Sequence, residues 1–96
     1  MKIVASIQVR LGSTRLPGKV LKDINGKPML LRHVERLRRS RLLDDVIVAT
    51  TTNPNDDKIV EFCINNNITF YRGSENDVLD RISSMIEERG IDVHVE

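Results

Sequence analysis

Tryptophan is absent from the 96 residues, and aromatics make up only 3%. Hydrophobic residues still reach 40%, so the core must be mostly aliphatic. The single cysteine, Cys63, excludes an intramolecular disulfide. It falls in an expected helix without the partner motif that catalytic or metal-binding cysteines carry, and reads as a small buried apolar residue. Long apolar runs are also missing. The N-terminal run, Ile3 to Ile7, soon meets Arg10 and reads as a strand, not as a signal peptide or membrane span. These absences imply one soluble, cytoplasmic domain with no membrane partner. No repeat, low-complexity segment or internal linker divides it.

What the chain does have is concentrated after that first strand. Val9 to Lys22 reads V-R-L-G-S-T-R-L-P-G-K-V-L-K. Arg10, Arg15, Lys19 and Lys22 supply positive charge with no carboxylate between them. Ser13 and Thr14 add hydroxyls, and Pro17 fixes one φ. Gly12 and Gly18 permit backbone geometries that a side chain would forbid. A flexible, donor-rich, cationic loop leaving a buried strand suits a polyphosphate. Its N–H groups cradle oxygens and its cations neutralise charge. The loop is not a Walker A motif: five residues separate Gly12 from Gly18, and Val20 follows Lys19 where a magnesium-binding hydroxyl would stand. The dinucleotide fingerprint G-x-G-x-x-G is absent too.

The net charge of +1 conceals an asymmetry. Residues 10–41 hold ten Lys or Arg and two acids, a formal +8, whereas the rest carries −7. An anionic ligand on one side fits that split. Part of the excess lies on one expected helix, introduced by Gly26-Lys27-Pro28 with Pro28 near its first position and running to about Arg41. Leu30, Leu31, Val34 and Leu37 give its apolar stripe. Arg32, Arg36, Arg38, Arg39 and Arg41 occupy the other face. Without stacking aromatics or a nucleic-acid motif, they read as a solvated face, and no nucleic-acid partner is expected.

The remaining elements follow in order. Asp45 to Thr50 is an apolar strand of the kind buried on both faces of a parallel sheet. Asn53 caps the next helix, with Pro54 at its first position, Asp56 and Asp57 in its first turn, and Ile59, Val60, Cys63 and Ile64 inward. Ile68 to Tyr71 is a short strand, and Arg72-Gly73-Ser74 a loop. Ser74 is the expected cap of a third helix whose buried stripe is Val78, Leu79, Ile82, Met85 and Ile86. Asp77 and Asp80 cap and pair there, and Gly90 stops the helix. Ile91 to Val95 begins a fourth strand. The order β-α-β-α-β-α-β predicts an α/β, Rossmann-like, three-layer parallel sheet with helices on both faces. Ligands of such sheets bind beyond the carboxyl ends of the strands. The loop from Val9 to Lys19, Thr50 to Asn53, and Arg72 to Ser74 all belong to that rim.

Q-V-R-L-G-S-T-R-L-P-G-K-V-L, from Gln8 to Leu21, resembles the N-terminal signature of the cytidylyltransferases that make CMP-sugars. These are the acylneuraminate and 3-deoxy-manno-octulosonate cytidylyltransferases and their spore-coat polysaccharide relatives, the last branch being most similar. The resemblance continues through I-N-G-K-P-M-L (Ile24 to Leu30), V-I-V-A-T-T-T-N (Val46 to Asn53) and R-G-S-E-N-D-V-L-D-R (Arg72 to Arg81). It implies a nucleotide-diphospho-sugar transferase type of fold. It also implies a reaction in which CTP and a sugar acid or sugar derivative give a CMP-sugar and pyrophosphate, with CTP and a sugar acid or sugar phosphate as partners and Mg²⁺ as cofactor. On matching positions, Arg10, Leu11, Gly12 and Ser13 bind the triphosphate. Arg15 and Lys19 neutralise charge at the reacting and leaving phosphates. Thr50 and Thr51, with Arg72 and Gly73, lie near base and ribose.

Family members are longer, and their metal-binding aspartate follows the fourth strand in a D-x-P-type segment. This chain stops at Glu96, where the most similar branch often has Arg. The resemblance thus implies a truncated domain: residues 1–96 form its N-terminal, nucleotide-binding half, without a metal ligand of its own. Two functions stay open, part of a working cytidylyltransferase or a non-catalytic nucleotide-binding module, with an interaction domain that uses the Arg-rich helix as a weaker third. A sheet cut at this point also leads us to expect an exposed edge and self-association.

Overall fold

Strand β1, Ile3–Gln8, is where the sheet begins, with both of its edges paired in parallel. The computed structural model describes residues 1–10, 23–24 and 27–95. Most of the cationic loop, including Leu11, Gly12, Ser13, Arg15 and Lys19, therefore lies outside the described residues. Beyond it, β2 (Asp23–Ile24) and β3 (Lys27–Pro28) form a two-residue antiparallel ladder. Sequence reading did not anticipate this ladder, because strands of two residues have no period to read.

Helix α1 spans Met29–Arg38, shorter at its end than expected. Pro28 sits one place earlier than expected, as the extended N-cap with φ −62° and ψ 146°. Leu30 and Val34 are buried, while Arg36 and Arg38 lie in the last turn, where cations meet the negative end of the helix dipole. Strand β4, Asp45–Thr51, is buried from Val46 onward because β1 and β5 flank it and helices cover both its faces. The Asn53 side chain accepts from Asn55 N, as its capping role requires, and starts a 3₁₀ turn, Pro54–Asp56. Helix α2 follows at Asp57–Asn65. Ile59 and Cys63 are buried in it as expected, but Ile64 is exposed.

Strand β5 spans Thr69–Gly73. Arg72 and Gly73, expected in a loop, are strand residues paired with Thr50 and Thr51. Helix α3 spans Val78–Arg89. Its N-cap is Asp77, not Ser74: the Asp77 carboxylate accepts from Asp80 N at 3.0 Å, and Ser74 Oγ accepts from Asp77 N at 3.2 Å. The expected stripe is also corrected. Val78 and Leu79 are exposed, whereas Arg81 and Met85 are buried. The helix starts at the carboxyl rim of the sheet, and its buried face begins one turn later, at Arg81. Gly90 ends α3 in the left-handed region at φ 62°, where a glycine carries no Cβ penalty. Strand β6, Val93–Val95, closes the sheet.

The sheet order is β5-β4-β1-β6, parallel throughout. From β1 the chain steps first to β4 and β5, then returns past β1 to β6. Right-handed crossovers place the helices of opposite steps on opposite faces. One core joins Ile7, Val46 and Val48 to Leu30 and Val34 of α1 and to Ile59 and Cys63 of α2. The other joins Val4, Ile47, Ala49 and Tyr71 to Met85 of α3 and to Ile91. The three-layer α/β architecture expected from the element order is therefore the one observed.

Candidate functional site

The strand order reverses between β1 and β6, and open parallel sheets bind ligands at such a switch point, outside the carboxyl ends of the strands. Gln8, Val9 and Arg10 leave β1 there. Thr51 to Asn53 leave β4, and Gly73 to Glu75 leave β5, on the same rim. Backbone bonds hold the three exits level: Val9 N donates to Ala49 O at 2.9 Å, and Thr52 N to Gly73 O at 3.1 Å.

Arg10 is exposed, and its Nη1 donates to Glu75 O at 3.1 Å. Thr50 and Thr51 are buried. The Thr51 hydroxyl donates to Asp56 Oδ2 and accepts from Asn53 N at 3.1 Å, tying the strand end to the 3₁₀ turn. The Thr50 hydroxyl has no hydrogen-bond partner among the described residues. Arg72 braces the rim from below. Its Nε donates to Thr51 O at 2.7 Å, Nη2 to Asn53 O at 3.0 Å, and Nη1 pairs with Asp57 Oδ1 at 2.8 Å. Asn53 Nδ2 donates to Glu75 Oε2, linking the exits of β4 and β5. Of the residues expected to form the site, Arg10, Thr50, Thr51, Arg72 and Gly73 thus gather on one rim.

Arg81 was not expected there. It is 2% exposed, and reaches from α3 to donate Nε to Gln8 Oε1 at 3.0 Å and Nη1 to Ser74 O at 2.7 Å. Burial lowers its affinity for its proton; Arg10 lowers it further, and Asp56 opposes both. A signal was available: Arg81 lies four residues before Met85, on the stripe that otherwise carries apolar side chains. Cys63, by contrast, is far from the chemistry. Burial pushes its thiol up to about 11, so no thiolate is present near neutral pH.

Among the described residues, no group of three or more His, Cys, Asp or Glu is placed to hold a metal ion. The rim carboxylates are engaged elsewhere: Asp56 with Thr51, Asp57 with Arg72, Glu75 with Asn53. The described residues therefore do not fit a magnesium site. No described helix is long and apolar enough to cross a membrane.

The cytidylyltransferase family profile matches residues 4–95. The chain belongs to the cytidylyltransferase family. It is 40% identical over 89 residues to the spore coat polysaccharide biosynthesis protein SpsF of Bacillus subtilis, covering 88% of this chain and 37% of that one. The structure of a cytidylyltransferase from Leptospira borgpetersenii superposes with a TM-score of 0.89 at 37% identity, over 98% of this chain and 40% of that one. A CMP:2-keto-3-deoxy-manno-octonic acid synthetase, solved in complex with CTP, gives a TM-score of 0.77 at 29% identity, over 98% of this chain and 38% of that one. The chain thus spans well under half the length of each of these relatives, and the sheet described above is part of the fold of the two solved structures.

Proposed function

We propose that residues 1–96 form the N-terminal, CTP-binding half of a cytidylyltransferase that transfers CMP from CTP to a sugar acid or sugar derivative for surface polysaccharide biosynthesis. The observation that carries this reading is convergence. Within a cytidylyltransferase fold, the exit of β1, where the sequence enters the cationic loop, lies beside the switch point and on the same rim as the ends of β4 and β5. In the reaction a sugar oxygen attacks the α-phosphorus of CTP, a new phosphorus–oxygen bond forms, and the bond to pyrophosphate breaks. The chain's part is to place the nucleotide and offset negative charge.

Arg10, Leu11, Gly12 and Ser13 are assigned to the triphosphate, and Arg15 and Lys19 to the reacting and leaving phosphates. Thr50, Thr51, Arg72 and Gly73 are assigned to the floor beneath base and ribose. The unpartnered Thr50 hydroxyl supports the last assignment, since a buried polar group without a partner costs about 1–3 kcal/mol that a ligand could recover. Magnesium, which the family resemblance implies, would supply charge neutralisation at the phosphates; no acidic cluster among the described residues fits it. A cytoplasmic setting and pairing through the β6 edge, where Val93 and Val95 stay exposed, complete the proposal.

One observation favours a second reading. A rim with cations but no carboxylate cluster among the described residues also suits a nucleotide-binding module without turnover. Calorimetry with CTP, followed by a pyrophosphate-release assay, separates the cases. Binding with turnover supports the enzyme, binding without turnover supports the module, and absence of binding overturns both.

A further inference from the structure

A buried guanidinium is normally met by a carboxylate, because the charge is costly to desolvate alone. The hydrogen bonds of Arg81 instead run to two neutral oxygens, Gln8 Oε1 and Ser74 O. These acceptors belong to different exits on the rim, the end of β1 and the β5–α3 loop. The next residue of that loop, Glu75, accepts from Arg10 through its own carbonyl at 3.1 Å. Gln8 passes the restraint onward. Its Nε2 donates to Ser6 Oγ at 3.0 Å, and Ser6 Oγ lies 2.6 Å from His94 Nε2 on β6. A single chain of polar contacts thus joins α3, β1 and β6, the two strands that flank the switch point. Burial lowers the proton affinity of Arg81 first, repulsion from Arg10 adds to it, and the Asp56 carboxylate works the other way. An anion in the crevice would offset that repulsion.

We infer that Arg81 is a positioning residue for polyphosphate, locking the β5–α3 loop to the end of β1 and holding a buried positive charge beneath the crevice beside Arg10. The inference rests on the proposed nucleotide site and adds to it a residue that does not touch the ligand. It acts through Gln8, through the Ser74 carbonyl, and through its field.

The test is calorimetry of the full 96-residue chain with inorganic tripolyphosphate and with CTP, alongside thermal unfolding. Arg81→Met removes charge and donors; Arg81→Lys keeps the charge but loses the planar fork. Lys58→Ala, on an exposed face of α2, controls for the loss of any one cation. The Met variant is expected to bind tripolyphosphate about tenfold more weakly, and the Lys variant within about threefold of the parent, although both lose similar thermal stability. Arg81→Gln, neutral but able to hydrogen-bond, replaces the Met variant if that one does not fold, with the same loss expected. A purely structural role would make affinity follow stability, so equal weakening in the Met and Lys variants overturns the inference. So does a folded Met or Gln variant that binds as tightly as the parent. A parent chain that binds neither ligand overturns the proposed function itself, and this inference with it.

Discussion

Gly73 makes room for Arg81: a Cβ on Gly73 would stand 2.7 Å from Arg81 Cγ and 3.0 Å from Tyr71 Cε2. The glycine lies within strand β5, paired with Thr51, so its use is close approach and not turn geometry. Gly73→Ala must displace a stem that is buried and fixed at both ends of its guanidinium. A cost of about 1–3 kcal/mol is expected, the scale of overpacking. Urea denaturation measures it, and an unchanged midpoint would show that the Arg81 stem shifts freely.

Thr51 and Asp56 form the second fixed point of the rim. Both are buried, and the hydroxyl donates to the carboxylate. Asp56→Ala leaves that hydroxyl in a dry site with one contact fewer, and should destabilise the chain by about 1–3 kcal/mol. The same denaturation experiment reads the loss. A variant as stable as the parent would mean that water or a neighbouring group replaces the carboxylate.

Alkaline pH should weaken the fold through Cys63. Its thiol is raised from 9.0 to about 11 by burial. The folded state therefore keeps a proton that the unfolded chain releases above pH 9. The contribution is complete below the unfolded value and is lost as pH rises toward the folded one. Between pH 8 and pH 10 this amounts to about 1 kcal/mol. The comparison is with Cys63→Ala, which isolates the thiol. That variant should lose less stability over the same interval; parallel curves for the two proteins would remove Cys63 from the account.

Lys19 and Arg15 lie outside the described residues, and the case for them rests on the acid-free cationic loop and the rim it leaves. Lys19→Ala and Arg15→Ala should each weaken CTP binding by about 1–3 kcal/mol, the scale of a charge-assisted hydrogen bond. Calorimetry on the folded variants decides, and unchanged affinity in both would withdraw the assignment.

The elements that were legible in the sequence are those with a period or a cap. Val46 to Ala49 reads as a doubly covered strand, and it is buried on both faces. Asn53 with Pro54, and Gly90 after Arg89, mark helix ends that the structure reproduces. What could not be read depended on tertiary position. Val78 and Leu79 have the hydrophobicity of core residues but stay exposed in the first turn of α3, at the rim of the sheet. Arg81 has the charge of a surface residue, but the missing Cβ of Gly73 and the acceptors on Gln8 and Ser74 draw it inside. Those acceptors come from sequence positions up to 73 residues away, beyond any local pattern. The site follows the same division. Its location came from topology and loop chemistry, whereas the bracing by Arg72 and Arg81 became visible only with the packing.

The last prediction concerns turnover. The described rim offers cations for phosphate and no cluster of acids for a divalent ion. Four of its acids have structural partners: Asp56 holds Thr51, Asp57 pairs with Arg72, Glu75 accepts from Asn53, and Asp77 caps α3. In phosphoryl transfer an anchored divalent ion typically contributes several kcal/mol of transition-state stabilisation. A deficit of roughly 4 kcal/mol is about a thousandfold in rate. The 96-residue chain alone should therefore release pyrophosphate from CTP about a thousandfold more slowly than the same chain joined to the C-terminal part of a full-length family member. The measurement is pyrophosphate release with added Mg²⁺ and a panel of sugar acids and sugar phosphates. Comparable rates for the two proteins would mean that carboxylates of this chain do serve the metal. Asp77 and Asp80, at the exposed start of α3, would then be the first to substitute.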